Sequence, residues 1–312
     1  MSTLTSEPLP AAGHAASAPH THARVSDPPL YILTTRCPDT TGIVAAVAGF
    51  LAEHHATITE AQHHNDPATR MSFMRTVFHD DGAGMPRVET LARAFAERVA
   101  ERFHMRWQLH EAQRRCRTLV AVSRHGHCLN SILHRWSTAT LPVEVVAVVS
   151  NHEDMRSLAE WHGVPYHHLP IVEGGKAEQE RRLMRLFEKL DAELLVLARY
   201  MQILSADACR HFEGRAINIH HSFLPGFKGP KAYHQAHERG VKLIGATAHY
   251  VTGELDEGPI IEQEVERVDH TQSAEELAVV GSELETVVLN RAIKWHAERR
   301  VFRSGRKTVV LR

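Results

Sequence analysis

Thr118-Leu119-Val120-Ala121-Val122 carries no charge over five residues and reads as a strand buried on both faces. After it the apolar period changes, and Leu129, Ile132, Leu133 and Trp136 share one face of a helix. Val143-Glu144-Val145-Val146-Ala147-Val148-Val149 is a second strand, and Lys176 to Leu190 is an amphipathic helix with Leu183, Leu186, Phe187 and Leu190 inward. Leu194-Leu195-Val196-Leu197-Ala198 is a third strand, and Ala216-Ile217-Asn218-Ile219 a fourth, shorter one. Short apolar strands separated by helices predict a mostly parallel sheet covered on both faces, an α/β domain of Rossmann-like organisation. From Leu243 to Glu266 two strand-like runs flank the turn Glu257-Gly258-Pro259. A long helix from about Ser273 to Glu298 and a strand, Lys307 to Leu311, close the chain.

Upstream the order differs. Leu30-Tyr31-Ile32-Leu33-Thr34 reads as a strand, Cys37 to Gly42 as a turn, and Ile43 to Leu51 as a helix with residues 43, 47, 50 and 51 on one face. Strands follow around Ala56 to His63 and Met71 to Phe78, then a helix from Val88 to Phe103 and a strand from Met105 to His110. This βαββαβ order predicts a ferredoxin-like plait. The domain reading is therefore a tail over 1–28, a plait over 29–110, a charged linker over 111–117 and the α/β domain over 118–312.

The 312 residues suit two domains, and 43% hydrophobic with 23% charged residues is an ordinary globular composition. Thirty-six Lys and Arg against 37 Asp and Glu leave a formal net charge of −1, so the chain has no overall attraction for nucleic acid or anionic lipid. Residues 1–28 lack both a basic start and an apolar core, and read as a disordered tail rather than a signal peptide. No run of eighteen apolar residues exists to span a membrane. Cys37, Cys116, Cys128 and Cys209 are scattered without a CxxC pair, which points to a reducing, cytoplasmic compartment. The 25 histidines include four doublets, but no HExxH or comparable ligand spacing, so no metal site is expected and most doublets read as surface polar residues.

Chemistry concentrates beyond the carboxyl ends of the strands, where open α/β sheets hold their ligands. In Ile217-Asn218-Ile219-His220-His221-Ser222-Phe223-Leu224-Pro225, strand alternation aims Asn218 and His220 the same way. Gly253-Glu254-Leu255-Asp256-Glu257-Gly258-Pro259 is a turn able to carry a carboxylate into the same cleft. An amide donor, an imidazole and a carboxylate suit reaction at a carbonyl carbon: oxyanion stabilisation, proton transfer near neutral pH and orientation of a water. There is no Gly-x-Ser-x-Gly elbow, and Ser222 reads as a turn hydroxyl, so direct attack by water or an amine is favoured over a covalent intermediate.

Two resemblances sharpen this. Thr34-Thr35-Arg36-Cys37-Pro38-Asp39 leading into Gly42-Ile43-Val44 resembles the ACT domain, a module that usually binds an amino acid where two copies meet; a plait used only for dimerisation fits equally. Asn218-Ile219-His220, then Ser222-Phe223-Leu224-Pro225, with Asp256 thirty-eight positions after Asn218, is similar to the folate-dependent formyltransferase family over 117–312. In that family these positions are the catalytic Asn, His and Asp. Leu197-Ala198-Arg199-Tyr200-Met201-Gln202-Ile203-Leu204 resembles the loop lining its folate pocket. The loop Ser123-Arg124-His125-Gly126-His127-Cys128 has one glycine, a poor cradle for a phosphorylated acceptor. An ACT-like unit ahead of His220-His221-Ser222, with Tyr233 to Thr247 beyond, resembles the formyltetrahydrofolate deformylases over nearly all of the chain after residue 28.

That resemblance implies hydrolysis of 10-formyltetrahydrofolate to formate and tetrahydrofolate, with folate as substrate, no cofactor and a homo-oligomer. The alternatives are formyl transfer to a small unphosphorylated amine, or a folate- or amino-acid-sensing protein without turnover. It implies a pocket of Met201, Gln202, Ile203 and Leu204 on one wall and Thr252, Gly253 and Leu255 on the other, and an effector site near Asp39, Thr40 and Gly42. Arg199 and Lys228 are candidates for the ligand's glutamate tail, His125, His127 and His249 for the rest of the cleft, and His221 either supports His220 or faces solvent.

Overall fold

The computed structural model describes residues 28–172, 175–226 and 232–312; the expected tail, apart from Pro28, lies outside them. The N-terminal strands and helices are β1 (Tyr31–Pro38), α1 (Ile43–Glu53), β2 (Ala56–Asp66), β3 (Met71–Asp80), α2 (Val88–Phe95) and β4 (Arg106–Glu111). The sheet order is β2-β3-β1-β4, antiparallel throughout. One apolar cluster, including Leu33, Val47, Phe50, Phe78, Leu91 and Phe95, joins both helices to one sheet face. Two expectations need correction. Cys37 and Pro38 are not turn residues: β1 runs on because Arg36, Cys37 and Pro38 pair with Phe73, Ser72 and Met71. The turn begins at Asp39, and Gly42 enters α1 at φ +96°, a left-handed conformation that costs glycine little. The expected helix over 88–103 is α-helical only to Phe95 and continues as a π-helical turn, Ala96–Ala100, which places Val99 and Ala100 in the core.

The second domain contains β5 (Cys116–Val122), α3 (His127–Ser137), β6 (Val143–Ser150), α4 (Arg156–Trp161), β7 (Tyr166–His168), α5 (Lys176–Lys189), β8 (Leu194–Leu197), α6 (Ala206–His211) and β9 (Ala216–His220). It ends with α7 (Ala232–Glu238), β10 (Leu243–Tyr250), β11 (Ile260–Arg267), α8 (Ala274–Ala297), β12 (Val301–Ser304) and β13 (Lys307–Val310). The seven-stranded sheet runs β11-β10-β9-β8-β5-β6-β7, parallel from β9 to β7, with β10 and β11 antiparallel. Chain order reverses between β5 and β8, so the crevice above their carboxyl ends is where a ligand belongs. One face is covered by α3 and α8 through Leu129, Ile132, Val288 and Ile293, the other by α5 and α6 through Leu183, Phe187 and Ala208.

Glu111 completes β4, while Cys116 and Arg117 already pair with Val143 and Glu144, so the connecting segment is shorter than the predicted 111–117. Four short elements were not anticipated: α4, β7, α6 and α7 each span seven residues or fewer, too short for a periodic signal. The His167-His168 doublet, read as surface polarity, lies in β7 as a half-buried pair, with His168 Nδ1 2.8 Å from Glu153. The expected last strand is one arm of a hairpin, β12–β13. That hairpin and the end of α8 meet the N-terminal sheet: Arg75 Nε donates to the Glu298 carbonyl at 2.9 Å, Arg36 Nη1 to the Arg303 carbonyl at 2.8 Å, and Phe73 stacks edge-on against Phe302. Among the described residues no helix is long and apolar enough to cross a membrane.

Candidate active site

Asn218 and His220 leave the same face of β9, and β10 runs beside them with His249 opposite Asn218 and Thr247 opposite His220. The β10–β11 ladder shifts register between Ala248 and His249, an irregularity that redirects the strand where a functional side chain leaves it. Beyond β10 the loop 251–259 folds back. A Cβ on Gly258 would run into the Tyr250 carbonyl, so only glycine permits this closure. Asp256 sits in that loop at φ +57°, a conformation a short polar residue tolerates better than a branched one.

The loop and strands bring three expected residues and one unexpected residue together. Asp256 Oδ2 lies 3.4 Å from His220 Nδ1, and Asp256 Oδ1 lies 3.8 Å from His249 Nε2. Asn218 Nδ2 lies 3.3 Å from the same His249 Nε2. His249 Nδ1 is 2.9 Å from the Tyr250 carbonyl, which can only accept; a neutral His249 therefore carries its proton there and offers Nε2 as an acceptor to the Asn218 amide. This fixes the amide with one N–H on His249 and the second free to point into the cleft. The Asp256, His220 and His249 side chains are only 7%, 5% and 4% exposed. Burial alone pushes the Asp256 carboxyl up, but the positive charge that His249 and His220 carry when protonated outweighs it and holds the group below its usual range. His221 is buried and accepts from the Ala232 N–H at 3.4 Å; burial, Arg199 and His220 push it down to about 4, so it is neutral near pH 7.

A slot opens from this cluster. Gln202, Ile203 and Leu204 form one wall, Thr252, Gly253 and Leu255 the other, with Asn218, His249 and Asp256 at its base. Ile203 and Leu255 are 59% and 51% exposed, unusual for large apolar residues flanking polar ones and suited to clasping a flat ligand. Met201, expected in the wall, is exposed beside the slot and does not line it.

Arg199 turns away from the slot, which corrects its expected role at a glutamate tail. It packs against Glu285 of α8, with Nε 3.5 Å from Oε2. Glu285 is 1% exposed and also takes His127 Nε2 at 2.8 Å and the Tyr233 hydroxyl at 3.0 Å. Burial pushes this carboxyl up; His127 and Arg199 prevail and hold it low. Ligand atoms of His127, Cys128 and Glu285 lie within 4.8 Å of one another, but the carboxylate is already engaged by three donors, one of them cationic. His125 is exposed, close to this cluster. Lys228 lies outside the described residues.

Residues 116–293 match the formyl transferase family model and residues 31–95 the ACT domain model. A formyltetrahydrofolate deformylase of Corynebacterium sp. (strain P-1) is 49% identical over 90% of this chain and 98% of its own length. The Bacillus subtilis (strain 168) deformylase is 47% identical over 89% of this chain and 92% of its own. The chain belongs to the formyltetrahydrofolate deformylase family. The crystal structure of the Burkholderia mallei deformylase superposes with a TM-score of 0.87 at 50% identity, covering 91% of this chain and all of that one. Glycinamide ribonucleotide transformylase 1 from Symbiobacterium toebii covers only 64% of this chain, at 31% identity and a TM-score of 0.61. The deformylase family thus shares this chain's two-domain α/β architecture along nearly its full length, plait included.

Proposed function

We propose that this chain hydrolyses 10-formyltetrahydrofolate to tetrahydrofolate and formate, supplying formate for one-carbon and purine metabolism. The observation that carries the chemistry is Asn218 and Asp256 at the base of one apolar-walled slot, with His220 against Asp256 at 3.4 Å behind them. The folate lies between the Ile203 and Leu255 walls with its N10-formyl group at the base. Asp256, kept ionised by its imidazole neighbours, orients a water and takes its proton as the oxygen bonds to the formyl carbon. The carbonyl becomes an oxyanion, which receives the second N–H of Asn218 and a proton donor from His220. The C–N10 bond then breaks, N10 takes a proton through His220 or a relayed water, and formate leaves with one net proton released.

Water is the nucleophile and folate the substrate, so the reaction calls for no cofactor. The four cysteines are all free and buried, which supports a reducing cytoplasm. The effector reading rests on a broad groove in which Asp39, Thr40 and Gly42 meet Val44, His63 and Asn65. The occupant is an amino acid bound where two plaits meet, in a homo-oligomer. Purified enzyme with 10-formyltetrahydrofolate and chelator tests the reaction. Equal yields of formate and tetrahydrofolate, unchanged by added amines, are expected. A formylated amine in place of formate makes the chain a transferase, and folate binding without turnover makes it a sensor.

A further inference from the structure

A cavity of about 660 Å³ lies where the plait meets the α/β domain, a volume typical of small-molecule sites, and the hydrolysis makes no use of it. Five arginines line it, Arg36, Arg106, Arg215, Arg299 and Arg303, against three acids, Glu188, Asp191 and Glu193. Two of the acids are engaged, Glu193 by Arg299 at 3.2 Å and Glu188 by Arg215 at 3.7 Å. The other three arginines keep unspent donors. Arg303 binds Glu213, outside the cavity, yet its buried Nε has no partner. Among the described residues Arg36 donates to a backbone carbonyl and lies over the Phe73 ring, and neither it nor Arg106 has an ion-pair partner. The plait also pairs Arg36 directly opposite Arg106 on β1 and β4, an arrangement of like charges that is unfavourable unless something anionic stands between them. Phe302 adds apolar surface to the walls, and Trp107, its ring edge-on to Phe95 in the plait core, borders them.

We propose that this junction binds a small dianion, a phosphate monoester or a dicarboxylate, and that its occupancy is felt at the active site. Guanidinium forks suit either group, and Arg36 and Arg106, the two lining arginines without a carboxylate partner among the described residues, match the two charges of a dianion. The path inward is short. Tyr250 lines the cavity, its hydroxyl bonds His296 Nδ1 at 2.8 Å, and its carbonyl holds His249 Nδ1, the ring that orients Asn218. The binding half of the proposal stands apart from the reading of the reaction; the coupling half rests on it.

Trp107 provides the signal. Inorganic phosphate and succinate, each titrated at ionic strength matched with sodium chloride, should change its fluorescence saturably, and Trp107→Phe should remove the change. Arg106→Glu, at an exposed position remote from Asn218 and Asp256, should weaken the midpoint at least tenfold while leaving kcat without probe unaltered. A response to phosphate alone assigns a phosphate monoester, and to succinate alone a dicarboxylate. No saturable change with either probe, or an equal midpoint in Arg106→Glu, overturns the site. Saturating probe should alter kcat at least twofold in the wild type and not in Arg106→Glu; binding with kcat unmoved refutes the coupling and leaves formate production, measured in the same assay, as the separate test of the reaction.

Discussion

Replacing Asn218 by alanine tests the assignment most directly, because its amide is placed to act only when charge develops. One N–H is held by His249 Nε2 at 3.3 Å, so the second has a fixed direction before substrate arrives. Loss of one such preorganised donor costs about 3 kcal/mol in activation free energy, or about 150-fold in kcat. The donor meets an oxyanion rather than the planar formyl group, so KM should change by less than about threefold. Folding should hardly notice: Asn218 is half-buried and its one long hydrogen bond is worth about 1 kcal/mol or less, a few degrees in Tm for a chain of this size. Steady-state formate release, with a thermal melt on the same preparation, separates the effects. Asn218→Asp should be slower still, since it replaces the donor with a second carboxylate beside Asp256. A kcat within threefold of wild type in the folded alanine variant would refute the oxyanion role.

Asp256→Asn keeps the shape but removes the proton acceptor, and kcat should fall by at least about a thousandfold with Tm within a few degrees; single-turnover formate release checks it. Leu255→Asp adds charge to an exposed slot wall, so KM should rise about tenfold with kcat nearly intact, read from initial rates over a substrate series. His296 is buried and pushed down to about 3, and His221 to about 4, both from 6.5. Between those values the unfolded chain binds more protons, so their contribution is full above pH 6.5 and is lost as pH falls, each adding up to about 1.4 kcal/mol per pH unit. Urea midpoints from pH 7 to 4 should fall steeply, and His296→Asn should flatten the slope by about one proton. Glu285→Gln strands the Arg199 charge in a buried site and should destabilise the fold by about 3 kcal/mol, measured by urea unfolding.

What the sequence made legible was whatever period and composition carry. Short, mostly apolar runs marked β5, β6 and β8, and strand alternation put Asn218 and His220 on one face. His249 was placed only loosely in the cleft, because its role depends on the register shift after Ala248 and on the Tyr250 carbonyl that sets its proton, neither visible in residue types. Glu285 had a signal that could have found it: it lies three and four residues before Val288 and Leu289, on the buried face of α8, where a carboxylate must be partnered. Arg199 had none. Its turn into the protein follows from a left-handed backbone, φ +62°, at the end of β8.

The Glu285 cluster explains why a strong cation can sit so near an acid–base site without taking it over. An unpaired guanidinium beside His221 would draw on Asp256 and oppose any proton carried by His220. Glu285 cancels that charge at 3.5 Å, and His127 and Tyr233 complete its hydrogen bonding, so the pair is neutral toward its surroundings. His221 stays uncharged, and Asp256 is the carboxylate at the base of the slot, beside Asn218 and His249. In the proposed reaction the Asp256 carboxylate is then free to hold the attacking water, while Asn218, oriented by His249, meets the carbonyl oxygen. Hydrolysis in this fold therefore depends on cancelling positive charge behind the site as much as on the three residues in front of it.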